Sequence, residues 1–217
     1  MKNQLEINNL SLSAARLIST LKKPGCPVCF AQDEAVHSYL ENLFYENVND
    51  SLFRKKFENS GGFCSFHTNL VPKYGDPSGI AILYAALISS STTLTTSVTD
   101  CLCCRISKEA QDRALDSVAE LVSKDTFFEN APDDILFCRR HFSLLKKKIS
   151  KSQQRAVILH QQAKLDEVTK LLKDVLRKMD YRATSEKLTQ REKLALIMAV
   201  KYFAGFAQLS GYIEERL

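Results

Sequence analysis

The feature that most constrains this chain is a set of metal-ligand residues that occurs twice. Each copy has a Cys-x-x-Cys motif followed by a Cys-x-x-His motif. The copies consist of Cys26, Cys29, Cys64 and His67, and of Cys101, Cys104, Cys138 and His141. The Cys-x-x-Cys motifs are 75 residues apart and the Cys-x-x-His motifs are 74 residues apart. Four ligand-type residues that recur at a nearly constant offset indicate an internal duplication.

The residues around the motifs repeat as well. Glu34-Ala35 corresponds to Glu109-Ala110, and Phe63 corresponds to Phe137. The sequence therefore predicts a first Cys3His helical repeat at 10–75, a linker helix with a second Cys3His repeat at 76–150, and a C-terminal helical segment at 151–217. We expect these three segments to form one compact unit.

Composition and periodicity predict an all-α fold. The 217 residues include only 7 Gly and 5 Pro, which is too few for the turns of a β-sandwich. Apolar residues recur at helical spacing in several segments. The predicted helices are 10–22, 28–48, 63–71, 78–98, 106–122, 137–149, 153–179 and 191–209. Thr189 and Glu192 form the pattern of a capping box for the last helix.

Hydropathy and the N-terminal residues predict a cytoplasmic protein that does not cross a membrane. No apolar run reaches the ~18 residues of a transmembrane helix, and the segment Met1–Glu6 lacks the apolar region of a secretory signal. In a reducing compartment, 7 cysteines favour metal binding or redox chemistry over structural disulfides.

The chemistry of the motifs predicts two metal ions held at helix starts. A helix N-terminus stabilises a thiolate through its free N–H groups. Three thiolates and one imidazole form a closed tetrahedral set that suits a structural zinc. We expect one ion on Cys26, Cys29, Cys64 and His67, and a second ion on Cys101, Cys104, Cys138 and His141. An iron–sulfur cluster is the alternative cofactor, because thiolate-rich sites with one His also hold such clusters.

Cys103 lies outside the repeated pattern. We expect it to be a packing residue, with an exposed reactive thiol as the alternative. The pair Cys26 and Cys29 also has the spacing of a redox dithiol, but that function requires a preceding strand and a helix is predicted there. The chain contains no known catalytic motif. Whether it is an enzyme stays open, with a non-enzymatic protein favoured.

The segment from Arg139 to Lys164 carries 8 Lys or Arg and no acidic residue. Such a run is able to contact nucleic-acid phosphates. A solvated helix face is the favoured interpretation, since Phe142 is the one Phe, Tyr or Trp interleaved in the segment to stack on bases.

The motifs CPVC…GFCSFH and CLCC…LFCRRH together resemble an uncharacterised prokaryotic family known only as a domain of unknown function. The resemblance implies the Cys/His pattern and carries no activity with it. In the second copy, Leu102-Cys103 stands where Pro27-Val28 stands in the first. The overall prediction is a metal-binding helical protein that acts as an interaction or regulatory module with a protein partner. The alternatives are an iron–sulfur redox or sensor protein and a nucleic-acid-binding regulator.

Overall fold

The structure is a computed structural model that describes residues 10–21, 23–90, 98, 100–124, 126–130, 135–180 and 186–205. Within these ranges the regular secondary structure is helical and no β-strand is present, so the all-α prediction is confirmed. None of the helices in these ranges is long and apolar enough to span a bilayer.

The helices largely follow the predicted ones. In chain order they are α1 (Leu12–Thr20), α2 (Pro27–Asn42), α3 (Ser51–Asn59), α4 (Ser65–Thr68), α5 (Val71–Tyr74), α6 (Pro77–Ser90), α7 (Leu102–Ser123), α8 (Thr126–Asn130), α9 (Arg139–Lys148), α10 (Lys151–Met179) and α11 (Gln190–Ala204). A π-helical turn, Leu43–Asn47, continues α2. The parts of the predicted helices at 91–97 and 206–209 lie outside the described residues.

Two helices were not predicted, and one predicted helix is divided. α3 was missed because it is short and largely polar, with Phe57 as its buried residue. α8 has only five residues. The helix predicted at 63–71 is two single turns, α4 and α5, because Pro72 begins a new turn after the first one ends.

Several helix starts are those that the sequence predicted. Pro27 is the first residue of α2, a position where its missing N–H costs nothing. Thr189 and Glu192 form the predicted capping box of α11. Cys64 and Cys138 are the N-cap residues of α4 and α9. The motif cysteines therefore lie at the beginnings of helices.

The chain divides into two compact units. One comprises 1–31 and 111–217, and the other comprises 32–110. The predicted boundaries at 75 and 150 do not coincide with this division. The first unit joins the N-terminal segment to the second half of the chain, so neither predicted repeat lies within a single unit.

Each unit has its own buried core. In the first unit the core includes Leu115, Phe127, Phe137 and Leu145. Val168 of α10 and Ala195 and Met198 of α11 belong to a smaller cluster of the same unit. In the second unit the core includes Leu40, Leu43, Phe57, Leu83 and Cys103. The ring of Phe57 meets the edge of Phe63, with centroids 5.0 Å apart.

Two sets of hydrogen bonds hold the backbone of the segment before Cys138. The N–H of Leu136 donates to the carbonyl of Gly25 at 3.2 Å. Gln161 of α10 is buried, and its Nε2 donates to the Phe137 carbonyl at 2.8 Å while its Oε1 accepts from the Phe137 N–H at 3.2 Å. These contacts place Leu136, two residues before Cys138, beside Gly25, the residue before Cys26.

We expect Gln161→Ala to lower the free energy of unfolding by about 2–4 kcal/mol, since it leaves the buried N–H and carbonyl of Phe137 without partners. The measurement is chemical denaturation of the full chain. Gln162→Ala is the matched control, because the exposed Gln162 bonds only the exposed Asp166 among the described residues, and its loss should change stability by less than about 0.5 kcal/mol. Equal losses in the two variants would contradict the role assigned to Gln161.

Candidate metal centres

The structure brings all eight predicted ligand residues together, but in two crossed sets. Site I consists of Cys26, Cys29, Cys138 and His141, and site II consists of Cys64, His67, Cys101 and Cys104. Each site thus joins the Cys-x-x-Cys motif of one repeat to the Cys-x-x-His motif of the other. The predicted pairing within each repeat is wrong.

Site I lies entirely within the first unit. The Nδ1 atom of His141 is 3.5 Å from Sγ of Cys26, 3.2 Å from Sγ of Cys29 and 3.3 Å from Sγ of Cys138. The sulfurs of Cys29 and Cys138 are 3.6 Å apart. All four residues are buried. Three sulfurs and one ring nitrogen therefore converge on a single point inside the unit.

Site II lies within the second unit and has nearly the same geometry. The Nδ1 atom of His67 is 3.2 Å from Sγ of Cys64, 3.5 Å from Sγ of Cys101 and 3.4 Å from Sγ of Cys104. The sulfurs of Cys64 and Cys104 are 3.6 Å apart. His67 and Cys101 are buried, Cys64 is partly buried and Cys104 is exposed. The two sites therefore differ in exposure and not in ligand arrangement.

These distances can be compared with those around a tetrahedral zinc ion. Zinc–sulfur and zinc–nitrogen bonds of about 2.3 and 2.05 Å place sulfur and nitrogen about 3.6 Å apart, and two sulfurs about 3.8 Å apart. The observed separations of 3.2–3.5 Å and 3.6 Å are slightly shorter. Both clusters are thus the size of a coordination shell around one metal ion, and the three-sulfur, one-nitrogen donor set fits zinc.

Helix starts bring the ligands to each site. Site I lies at the beginnings of α2 and α9, and site II lies at the beginnings of α7 and α4. In the longer helices α2, α7 and α9, the first-turn N–H groups lack intrahelical partners and stabilise negative charge on a nearby sulfur. A motif at the start of one of these helices thus gains electrostatic stabilisation of its thiolates.

The pKa values of the thiols in site I depend on burial and on the hydrogen bonds among these thiols. Burial raises the pKa of Cys26 to about 12. The hydrogen bond with Cys138 raises the pKa of Cys29, while hydrogen bonds from Cys26 and Cys29 lower the pKa of Cys138. Without a metal, these directions favour the thiolate form at Cys138 and the protonated thiol at Cys26 and Cys29. A metal ion that binds all three sulfurs must displace the remaining protons.

In site II the pKa values of two ligand cysteines are shifted in opposite directions. A hydrogen bond from Cys103 lowers the pKa of Cys101 to about 2. Partial burial and the hydrogen bond with Cys64 raise the pKa of Cys104 to about 12. Cys103 itself is fully buried in the core of the second unit and lies outside the four-residue cluster. Its position is that of a packing residue that also donates to a ligand, and not that of an exposed thiol.

Gln111 contacts the ligand His141, and the repeat pattern did not reveal this residue. Nδ1 of His141 faces the sulfurs, so its Nε2 carries the proton and donates to Oε1 of the buried Gln111 at 3.2 Å. This contact fixes the tautomer and the ring orientation of the histidine. The position 75 residues earlier is Val36, which has no acceptor to offer His67. A polar residue within the otherwise apolar positions of α7 was the available signal.

The two histidines outside the repeated motifs and the basic segment Arg139 to Lys164 have structural contacts. His37 packs against Tyr74, with ring centroids 5.3 Å apart. His160 contacts the Ile135 carbonyl through Nε2 at 3.3 Å. In the basic segment, Lys148 forms an ion pair with Asp116, and Lys164 forms one with Glu167. Neither histidine lies in a metal cluster, and part of the positive charge is neutralised within the chain.

The crossed pairing gives a direct test by double substitution. The Cys26→Ser/Cys138→Ser variant removes two ligands from one site, and we expect it to retain one metal ion. The Cys26→Ser/Cys64→Ser variant damages both sites and should retain none. Metal content per chain after purification is the measurement. If each metal ion were bound within one repeat, Cys26→Ser/Cys64→Ser would retain one ion and Cys26→Ser/Cys138→Ser would retain none. Each variant is therefore the control for the other.

We expect Gln111→Ala to weaken metal binding at site I by about 10- to 100-fold, because loss of the acceptor frees the His141 ring. Competition with a chelator of known affinity measures the two sites separately. Site II should keep its affinity. Substitution of the exposed Lys108, one turn earlier on α7, is the control and should leave both affinities unchanged. A Gln111→Ala protein with unaltered affinity at site I would show that the contact does not support the ligand.

Comparisons with known proteins agree with the resemblance seen in the motifs. The model of a family of unknown function, DUF6062, matches the chain at residues 2–78 and again at 19–95. An uncharacterised 23.9 kDa protein from the xynA 3' region of Caldicellulosiruptor sp. is 26% identical over 202 residues, which cover 87% of this chain and 99% of that protein. No solved structure matches the chain. The predicted resemblance to an uncharacterised family is therefore confirmed, and the family carries no known activity.

Proposed function

We propose that this chain is a zinc protein with two structural Cys3His sites, and that it acts as a non-enzymatic interaction or regulatory module. The observation that carries the proposal is the geometry of the two clusters. In each, three sulfurs and one imidazole nitrogen lie within 4.8 Å of one another. That arrangement matches the closed ligand set of a structural zinc.

The size of the clusters favours zinc over an iron–sulfur cluster. A polynuclear cluster places iron and inorganic sulfide between its protein ligands, so the ligand atoms must surround a larger body than one ion. The contact distances of 3.2–3.6 Å leave room for a single metal ion. A soft thiolate-rich shell also disfavours magnesium and calcium.

The number of protein ligands favours a structural role over catalysis. A catalytic zinc keeps a position open for water or substrate and has three protein ligands. Each of the present sites offers four. We therefore expect the ions to stabilise the fold instead of activating a water molecule.

A structural role also fits the sequence separation of the ligands. Cys29 and Cys138 are 109 residues apart, and Cys64 and Cys104 are 40 residues apart. A metal ion that joins them closes a long loop in the unfolded chain, and its binding free energy contributes directly to folding. We expect the first unit to depend most on its ion, because site I connects its two separate chain segments.

A protein partner is the interaction that the surface favours. Large apolar side chains are exposed on α10 and α11, at Leu159, Leu176, Met179 and Phe203. A nucleic-acid partner is less favoured, because Lys148 and Lys164 of the basic segment already form ion pairs. Electrophoretic retardation that weakens steeply with salt would favour the nucleic-acid alternative.

Elemental analysis and a visible spectrum of anaerobically purified protein test the proposal. We expect two zinc ions per chain and no visible absorption. Excess chelator should lower the helical circular dichroism and the unfolding midpoint, since structural zinc stabilises the folded state. Added zinc should restore both.

Two outcomes would contradict the zinc proposal. A coloured preparation that contains iron and sulfide would favour the iron–sulfur alternative. Protein that contains no metal and does not bind added zinc would exclude a metal role for both clusters.

A further inference from the structure

The two sites have the same ligands but very different access to solvent. In site I the relative exposures are 0% for Cys26 and 2% for Cys29, Cys138 and His141. In site II, His67 and Cys101 are 5% and 6% exposed, but Cys64 is partly exposed and Cys104 is exposed. A thiolate reacts with a dissolved oxidant only where the oxidant reaches its sulfur.

We propose that site II is a peroxide-reactive metal–thiolate centre, in which Cys104 is the sulfur that is oxidised and Cys64 is the sulfur that forms a disulfide with it. The proposal rests on the zinc function proposed above, because both sulfurs are ligands of the proposed zinc ion.

The reaction needs hydrogen peroxide and no further oxidant. The Cys104 sulfur attacks one peroxide oxygen, the O–O bond breaks, and a sulfenic acid forms as hydroxide leaves. The Cys64 sulfur then attacks the Cys104 sulfur, the S–O bond breaks, and a second hydroxide leaves as the disulfide forms. The two sulfurs lose two electrons in all, peroxide gains them, and two protons from solvent convert the hydroxides to water.

The geometry of site II suits the second step. The sulfurs of Cys64 and Cys104 are 3.6 Å apart, so a disulfide requires them to approach by about 1.6 Å. Loss of two of four ligands to the disulfide would leave only Cys101 and His67 for the metal. We therefore expect oxidation of this pair to release the ion from site II.

A cavity in the second unit lies beside the start of α7. Its volume is about 370 Å³, and it is lined by Lys56, Asn59, Ser60, Asp100, Leu102 and Arg105. Asp100 and Leu102 flank the ligand Cys101, and Arg105 directly follows Cys104. The cavity thus borders the first turn of α7, where Cys104 is exposed to solvent.

Site I is an internal control for the effect of exposure. The sulfurs of Cys29 and Cys138 are also 3.6 Å apart, but both residues are buried. If proximity alone decided reactivity, both sites would oxidise alike. Because access differs, we expect site II to react first.

The test treats the zinc-loaded full chain with increasing hydrogen peroxide. Released zinc is followed with a chromogenic chelator, and disulfides are mapped by mass spectrometry without reduction. We expect one of the two ions to be released at least roughly tenfold faster than the other, because thiol oxidation follows accessibility. A Cys64–Cys104 disulfide should form in parallel with that release.

Two variants identify the reactive sulfur. Lys108→Ala changes an exposed residue of α7, one turn after Cys104, that is not a ligand, and it should leave the release unchanged. Cys104→His keeps four metal ligands but removes the exposed thiol, and it should retain both ions under the same treatment. If Cys104→His does not bind the second ion, the disulfides mapped in the unaltered chain identify the reactive sulfur without this variant.

Several results would overturn the proposal. They are release of both ions at the same rate, a first disulfide between Cys29 and Cys138, and loss of the effect in Lys108→Ala. Metal analysis before oxidation separates the two proposals. Absence of zinc at that stage contradicts the proposed function, whereas two zinc ions that peroxide does not release selectively contradict only the reactivity of site II.

Discussion

The crossed convergence of thiols and imidazoles is the interaction on which the rest of this structure depends. Each cluster collects groups that are costly to bury separately, because a thiolate or imidazolium without a partner loses its hydration. Together at helix starts, the groups share hydrogen bonds and form a set the size of one metal shell. The hydrogen bonds within each cluster lower the pKa of one cysteine, Cys138 in site I and Cys101 in site II.

The surroundings of the clusters differentiate two sites that have the same ligands. Gln111 accepts from His141 in site I, whereas Val36 occupies the corresponding repeat position in the other half of the sequence. Burial encloses site I but leaves Cys104 of site II exposed. The same ligand set is thus shielded from solvent in site I, whereas in site II the sulfur of a solvent-exposed residue, Cys104, belongs to it.

Much of the helical architecture was predictable because its signals are local. The start of α2 at Pro27 and the capping box at Thr189 depend on residues within one turn. α3 was missed because it is short and largely polar, and its buried residue, Phe57, packs against the rings of Phe63 and Tyr84 from other segments. The burial of Cys103 agrees with the packing role expected for it.

The sequence by itself determined which eight residues form the candidate sites, because residue type and spacing are local properties that each motif carries. It did not determine their pairing, since either Cys-x-x-Cys motif is chemically able to share a metal ion with either Cys-x-x-His motif. Only the tertiary structure decided this. The hydrogen bond from Leu136 to Gly25 and the contacts of Gln161 with Phe137 set Cys138 beside Cys26, across more than a hundred residues of chain. Such long-range contacts depend on the packing of the whole unit, and no spacing within the sequence encodes them.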